Sequence, residues 1–157
     1  MAFLKRKMFK EISLNSLEDT KKLALKLSTY IEGHKNFPLS FHLTGDLGTG
    51  KTTLVKEVLH SLGIDRFINS PTFTLIEPYE TKSRKIFHID LYRVEDISEL
   101  NAIGLEEYLR ETNSINFIEW PEKGVGFLKD PDILVSLSHI EKNKRSCKIS
   151  SSLNLYL

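Results

Sequence analysis

Apolar positions along the chain change their period several times, and each change marks an element. Leu23, Ala24, Leu27 and Ile31 fall on one helical face. The spacing predicts a helix entered at Ser16, with Asp19 completing a weak capping box, and stopped at Gly33. The run Leu39-Ser40-Phe41-His42-Leu43-Thr44 predicts a short strand leading straight into Gly45. After Lys51 the helical period returns with Leu54, Val55, Val58, Leu59 and Leu62, ended by Gly63.

The middle of the chain is shorter in its rhythm. Phe73-Thr74-Leu75-Ile76 and Ile86-Phe87-His88-Ile89-Asp90-Leu91 predict strands, with residues 81–85 as a hairpin connection. Leu100, Ile103, Leu105, Tyr108 and Leu109 predict a helical stretch broken near Gly104, followed by the apolar strand Ile115-Asn116-Phe117-Ile118-Glu119. Two further strands are expected at residues 133–137 and 148–155, turned by residues 141–145. Strands alternating with helices before a β-rich end predict an α/β fold. Its central sheet is expected to be mostly parallel and sandwiched by helices, with antiparallel additions in the C-terminal part.

Composition narrows this picture without changing it. A chain of 157 residues with 40% hydrophobic and 27% charged positions is expected to form one globular domain over residues 1–157. The formal charge of +1, from 22 basic and 21 acidic residues, excludes nucleic-acid binding driven by overall charge and leaves only a local basic patch. Cys147 is the one cysteine, which excludes an intramolecular disulfide framework and a multi-cysteine zinc site and suits a reducing compartment. No apolar run approaches the roughly 20 residues of a membrane helix. The basic N-terminus lacks the apolar stretch of a signal peptide. A soluble, cytoplasmic protein with no membrane partner is expected.

One segment carries chemistry at every fixed position. Gly45-Asp46-Leu47-Gly48-Thr49-Gly50-Lys51-Thr52 fits G-x-x-x-x-G-K-[ST], with an apolar strand entering and an amphipathic helix leaving. Glycines let backbone N–H groups turn inward around phosphate oxygens without a side-chain clash. The helix N-terminus adds unpaired donors and partial positive charge. Lys51 is placed to reach the β and γ phosphates, Thr52 to bind Mg²⁺ through its hydroxyl, and Thr53 to touch the α-phosphate. The segment predicts a P-loop nucleotide site, and with it a P-loop NTPase-like three-layer sandwich.

Such a loop needs an acidic partner for Mg²⁺, usually at the carboxyl end of a neighbouring strand. Asp90 and Glu119 both stand at predicted strand ends. One would hold the metal and the other orient the attacking water, and spacing alone assigns neither. Ser70-Pro71-Thr72-Phe73-Thr74 lies between the loop helix and Asp90, where its hydroxyls suit a segment that senses the γ-phosphate or the metal shell. His88 alternates with Asp90, so both side chains face one side of the sheet; it reads as a packed histidine, with a hydrogen bond to the active site as the sharper option. His34, His42, His60 and His139 show no zinc-ligand spacing. Lys142, Lys144 and Arg145 read as a solvated hairpin tip, with a clamp on the nucleotide or a contact to tRNA as the sharper options.

Taken together, these segments resemble the TsaE family (also called YjeE), small ATPases of bacterial tRNA threonylcarbamoyladenosine synthesis. The resemblance rests on Gly45 to Thr53, Ser70-Pro71-Thr72-Phe73-Thr74-Leu75, His88-Ile89-Asp90-Leu91-Tyr92-Arg93 and Ile118-Glu119-Trp120-Pro121, in family order, and covers about residues 39–128. It implies an ATPase that works with a TsaB–TsaD-type complex, resetting the transferase after turnover and meeting tRNA only through that complex. It implies Thr52 and Glu119 around Mg²⁺, Asp90 near the γ-phosphate with Lys51, and Thr72, Arg93 and Trp120 in the surround or on the partner surface. It also implies that residues 14–20 pass near the adenine. The chain departs from the family at Thr49, commonly alanine, and at Leu128-Lys129, often Leu-Pro.

Two other functions use the same loop. A small-molecule or nucleotide kinase gathers arginines around two phosphorylated substrates, whereas Arg6, Arg66, Arg84, Arg93, Arg110 and Arg145 form no arginine-rich lid in the sequence. A GTP-dependent binding switch carries an Asn-Lys-x-Asp segment, which the chain lacks. Neither accounts for the Asp-Leu-Tyr-Arg and Glu-Trp-Pro blocks.

Overall fold

Ser16 opens the first helix as expected: its hydroxyl accepts the Asp19 N–H at 3.2 Å, and the Asp19 carboxylate accepts the Asn15 N–H at 3.0 Å. In this computed structural model, which describes residues 8–35 and 37–153, that helix (α1) spans Leu17–Gly33 and buries Leu23, Ala24, Leu27 and Ile31. The second, α2, spans Lys51–Ser61 and buries Leu54, Val55, Val58 and Leu59. Gly63 then turns the chain at φ 84°, its N–H bonded to the His60 carbonyl. Two short helices, α3 (Ile97–Ala102) and α4 (Leu105–Arg110), are separated at Gly104, which takes a left-handed φ of 67°.

Seven strands form one sheet in the order β1-β7-β6-β2-β5-β4-β3. They are β1 (Met8–Leu14), β2 (Leu39–Thr44), β3 (Ile76–Glu80), β4 (Lys85–Asp90), β5 (Ser114–Glu119), β6 (Ile133–Glu141) and β7 (Lys144–Ser151). The central β4, β5, β2 and β6 are mutually parallel; β3 pairs antiparallel with β4 at one edge, and at the other β7 pairs antiparallel with both β6 and β1. Alternation along the parallel strands splits the core. Leu43, Phe41, Phe117 and Val135 pack with α1 and α2 on one face, and Phe87, Ile89 and Ile118 pack with Leu100 and Leu105 of α3 and α4 on the other. The result is the three-layer sandwich that the sequence predicts.

Several expected boundaries move. Phe73, Thr74 and Leu75 are not a strand: the Leu75 N–H closes a turn onto the Pro71 carbonyl at 2.7 Å, Leu75 sits at φ 64°, and pairing begins only at Ile76. Pro78 lies inside β3, which an edge strand tolerates. The last strand starts at Lys144 rather than Lys148, because the turn is tight, with Glu141 opposite Lys144 and Asn143 at φ 73°. Residues 154 and 155 of that expected strand, and the basic start of the chain, lie outside the described residues. Leu62 is only half-buried, just past the end of α2. Antiparallel pairing is also not confined to the C-terminal part, since β1 and β3 add to it. Where the carboxyl ends of β2, β5 and β4 lie side by side, the crevice of a parallel α/β sheet opens.

Candidate functional site

Thr44 ends β2, and the chain turns back over the sheet end through Gly45 to Gly50 before α2 begins. Gly45 takes φ 134°, and a Cβ there would sit 2.1 Å from the Leu137 carbonyl oxygen, so the loop can lie against β6 only with glycine. Gly50 precedes α2 in the left-handed region and provides no side-chain cap. A glycine there leaves the first-turn donors of α2 to whatever lies in front of the loop. Thr49 is buried, and its hydroxyl donates to the Asp46 carbonyl at 2.8 Å, which satisfies the extra polar group at this position.

Lys51 is buried at 4% exposure, and its ammonium donates to the Gly45 and Asp46 carbonyls at 2.6 and 2.9 Å. The Trp120 ring lies over it, 4.1 Å from ammonium to ring centroid. Among the described residues no carboxylate comes within ion-pair distance of it. Burial pushes its pKa down, opposed by Glu119 foremost and then by Asp90, Glu122 and Asp46. A buried cation held by neutral carbonyls at the mouth of a glycine turn is the arrangement an anion would complete.

Opposite the loop, the register of β4 and β5 sets Asp90 beside Glu119. Glu119 is 2% exposed, and its two oxygens accept from different partners: Oε2 from the Thr52 hydroxyl at 3.0 Å, Oε1 from His88 Nε2 at 2.7 Å. Asp90 is also buried. Its Oδ2 accepts from the Thr72 hydroxyl at 3.1 Å and its Oδ1 from the Tyr92 N–H at 2.9 Å. Burial raises the Asp90 pKa, with the Glu119 charge adding to the effect and the two hydrogen bonds opposing it. Ser70 Oγ lies 2.8 Å from Thr72 Oγ1, so the turn before β3 is tied to Asp90.

A cleft of about 430 Å³ opens among these groups. Leu47, Gly48, Thr49, Gly50, Lys51, Thr52 and Thr53 line it, together with Thr72, Asp90 and Glu119. Gly45 and Asp46 do not; their carbonyls lie beneath, against Lys51. Trp120 lines the cleft from a left-handed φ of 57°, whereas Arg93 stacks on Phe73, 4.1 Å from its ring centroid, outside it. Leu14, Leu17 and Thr20 form part of the lining.

Arg145 is not part of a solvated tip. Its side chain reaches over Gly50 into the cleft, and its Nε is buried without a hydrogen-bond partner. Lys142 and Lys144 remain exposed at the turn, Lys144 paired with Glu141. Sequence reasoning missed Tyr92 and Leu137 in the lining; the latter reaches the cleft only because β6 pairs with β2.

These residues fit a nucleotide with a divalent ion. Thr52 Oγ1 and Glu119 Oε2 present adjacent oxygens, and among the described residues no group of three His, Cys, Asp or Glu side chains could hold an ion alone. Mg²⁺ commonly takes one or two protein oxygens and fills its octahedron with phosphate oxygens and water. Such an ion suits this pair.

The chain is similar to known proteins of one family. A sequence model described as "Threonylcarbamoyl adenosine biosynthesis protein TsaE" matches residues 14–147. The chain is 40% identical over 122 residues to the tRNA threonylcarbamoyladenosine biosynthesis protein TsaE of Haemophilus influenzae, covering 78% of this chain and 76% of that one. It is 37% identical over 144 residues to that of Aquifex aeolicus, covering 90% and 96%. The crystal structure of Bacillus subtilis YdiB superposes with a TM-score of 0.76 at 24% identity, over 96% of this chain and 90% of that one, and shows a shared fold.

Proposed function

The chain belongs to the TsaE family of tRNA threonylcarbamoyladenosine biosynthesis, and from that premise we propose that it is a cytoplasmic P-loop ATPase. In this reading it binds ATP with Mg²⁺ and hydrolyses it to reset a TsaB–TsaD-type complex between rounds of tRNA modification. The observation that carries it is the buried Lys51 ammonium, hydrogen-bonded to two loop carbonyls beneath the Trp120 ring and sharing one cleft with the Thr52–Glu119 pair.

Each residue then has a defined task. The N–H groups of Gly48 and of Gly50 to Thr53 would face the phosphate chain, that of Thr49 being bonded to the Asp46 carbonyl, and Lys51 would exchange the Gly45 and Asp46 carbonyls for β and γ phosphate oxygens. Thr52 and Glu119 hold Mg²⁺, which when bound neutralises charge developing on the phosphates. Asp90 orients the attacking water. Its raised pKa makes it a stronger proton acceptor than an ordinary carboxylate, in a site where the water oxygen bonds to the γ phosphorus as the bond to the ADP oxygen breaks. Thr72 links Asp90 to the turn at residues 70–75, so the state of the γ-phosphate is felt on the surface beside β3.

The arginines support this reading over a kinase. Arg66 lies on the Tyr79 ring, Arg84 is buried on backbone carbonyls, Arg93 stacks on Phe73 and Arg110 pairs with Glu106. Of the described arginines, only Arg145 lines the cleft. Equilibrium binding tests the nucleotide assignment: ATP with Mg²⁺ binds the wild type and competes better than GTP. A protein that binds neither, or prefers GTP, contradicts it.

A further inference from the structure

His88 is more than a packed core histidine. It is fully buried on β4, and its Nε2 lies 2.7 Å from Glu119 Oε1. A carboxylate has only acceptors to offer, so Nε2 carries the proton in this contact. Its Nδ1 is buried without a hydrogen-bond partner among the described residues.

We propose that His88 is the positioning residue of Glu119, holding the carboxylate rotation that keeps Oε2 beside Thr52. The terminal torsion of a glutamate side chain is broad and roughly two-fold, so one bond to one oxygen fixes it poorly. Here the two oxygens are held from two sides, His88 on Oε1 and Thr52 on Oε2. A metal ion would draw on the same Oε2 that now accepts from Thr52, whose own lone pairs would also turn to the ion. His88, bonded to Oε1, is the partner whose hold on the carboxylate does not compete with the ion. Residues that orient a metal ligand in this way typically change metal affinity by about 10- to 100-fold when lost.

The backbone explains how the ring reaches its partner. His88 and Asp90 point to the same face of the sheet, and Asp90 is opposite Glu119 while His88 is opposite Phe117. His88 thus stands one side-chain layer below the acid pair and supports Glu119 from within the core, where it takes no part in lining the cleft.

The inference rests on the proposed metal role of Glu119, so the test must separate the two. Mn²⁺ is titrated into protein saturated with the non-hydrolysable analogue AMP-PNP, and the bound ion is read by water-proton relaxation. His88→Leu should weaken Mn²⁺ binding in the ternary complex by about 10- to 100-fold, with AMP-PNP affinity in EDTA unchanged. His88→Gln, whose amide nitrogen reaches about as far as an imidazole Nε2, should restore binding to within about threefold of wild type. His88→Asn, whose amide reaches only as far as Nδ1, should not. Should His88→Leu not fold, the glutamine and asparagine variants make the same comparison. Equal Mn²⁺ affinity in wild type and the folded leucine or asparagine variants overturns the positioning role. A wild type that binds no Mn²⁺ with the nucleotide overturns the metal site itself.

Discussion

Asp90 and Glu119 stand side by side at the ends of neighbouring parallel strands, both almost sealed from water, yet each is bonded to a different threonine. Glu119 takes the hydroxyl of Thr52, the first-turn residue of α2, and Asp90 takes that of Thr72, in the turn before β3. One carboxylate faces the start of α2 and the other the turn at residues 70–75. In the proposed cycle their environments, not their residue types, would separate their tasks.

Kinetics should show that separation. Glu119→Gln should raise the Mg²⁺ concentration needed for half-maximal hydrolysis by about tenfold or more. Asp90→Asn should lower kcat by about 10²-fold or more while ATP still binds. Exchange of the two patterns would mean that the roles are reversed.

The same Asp90 variant should be more stable than wild type. The Asp90 carboxyl binds its proton more tightly folded than unfolded, chiefly because of burial. Its contribution is therefore favourable below the ordinary carboxylate range and is lost as pH rises through the raised folded value. At neutral pH it is a cost, and Asp90→Asn removes it while keeping groups that can meet Thr72 and the Tyr92 N–H. Thermal unfolding should show a higher Tm at pH 7 and little gain near pH 3. A lower Tm at pH 7 would contradict the burial argument.

Gly45→Ala tests the loop by sterics alone. The added Cβ meets the Leu137 carbonyl at 2.1 Å, and the residue keeps a φ that alanine rarely adopts. Strain of this kind costs about 1–3 kcal/mol, and each kcal/mol lowers Tm by about 2–4 °C in a chain of this size. ATP affinity should fall with it by about tenfold or more, because the loop must lift from β6. Calorimetric titration alongside thermal unfolding checks both.

The loop and α2 are legible in the sequence because their chemistry fixes residue types at fixed spacings, and Asp90 and Glu119 because strands end visibly there. The turn at residues 71–75 is not, since Phe73-Thr74-Leu75-Ile76 has a strand's composition and only the Pro71–Leu75 hydrogen bond shows otherwise. β1 is hidden for another reason: Lys10, Glu11 and Ser13 interrupt its apolar pattern, and it acquires a partner only from β7 at the far end of the chain. Arg145 and His88 depend on register. No spacing tells that Arg145 reaches Gly50 or that His88 reaches Glu119, because each contact joins strands or loops distant in sequence.

His42 gives a pH test away from the cleft. Burial pushes its pKa down to about 4, against Asp130 and Asp132, which act in the opposite direction. The unfolded chain, with an ordinary histidine value of about 6.5, takes up a proton that the folded protein resists. This contribution to stability is full above about pH 6.5 and is lost as pH falls toward 4. The Tm of wild type should drop between pH 6.5 and 4.5 by a few degrees more than that of His42→Gln. Parallel curves would place the loss in other groups.

The central claim is that ATP hydrolysis at Lys51 drives repeated turnover of the tRNA-modifying complex. The most direct measurement is the number of modified adenosines formed per transferase by a TsaB–TsaD-type complex supplied with ATP and this protein, either as wild type or as folded Lys51→Ala. Wild type should support many rounds, and Lys51→Ala should stop near the first, with its own slow hydrolysis abolished. Equal turnover with both proteins would contradict the account.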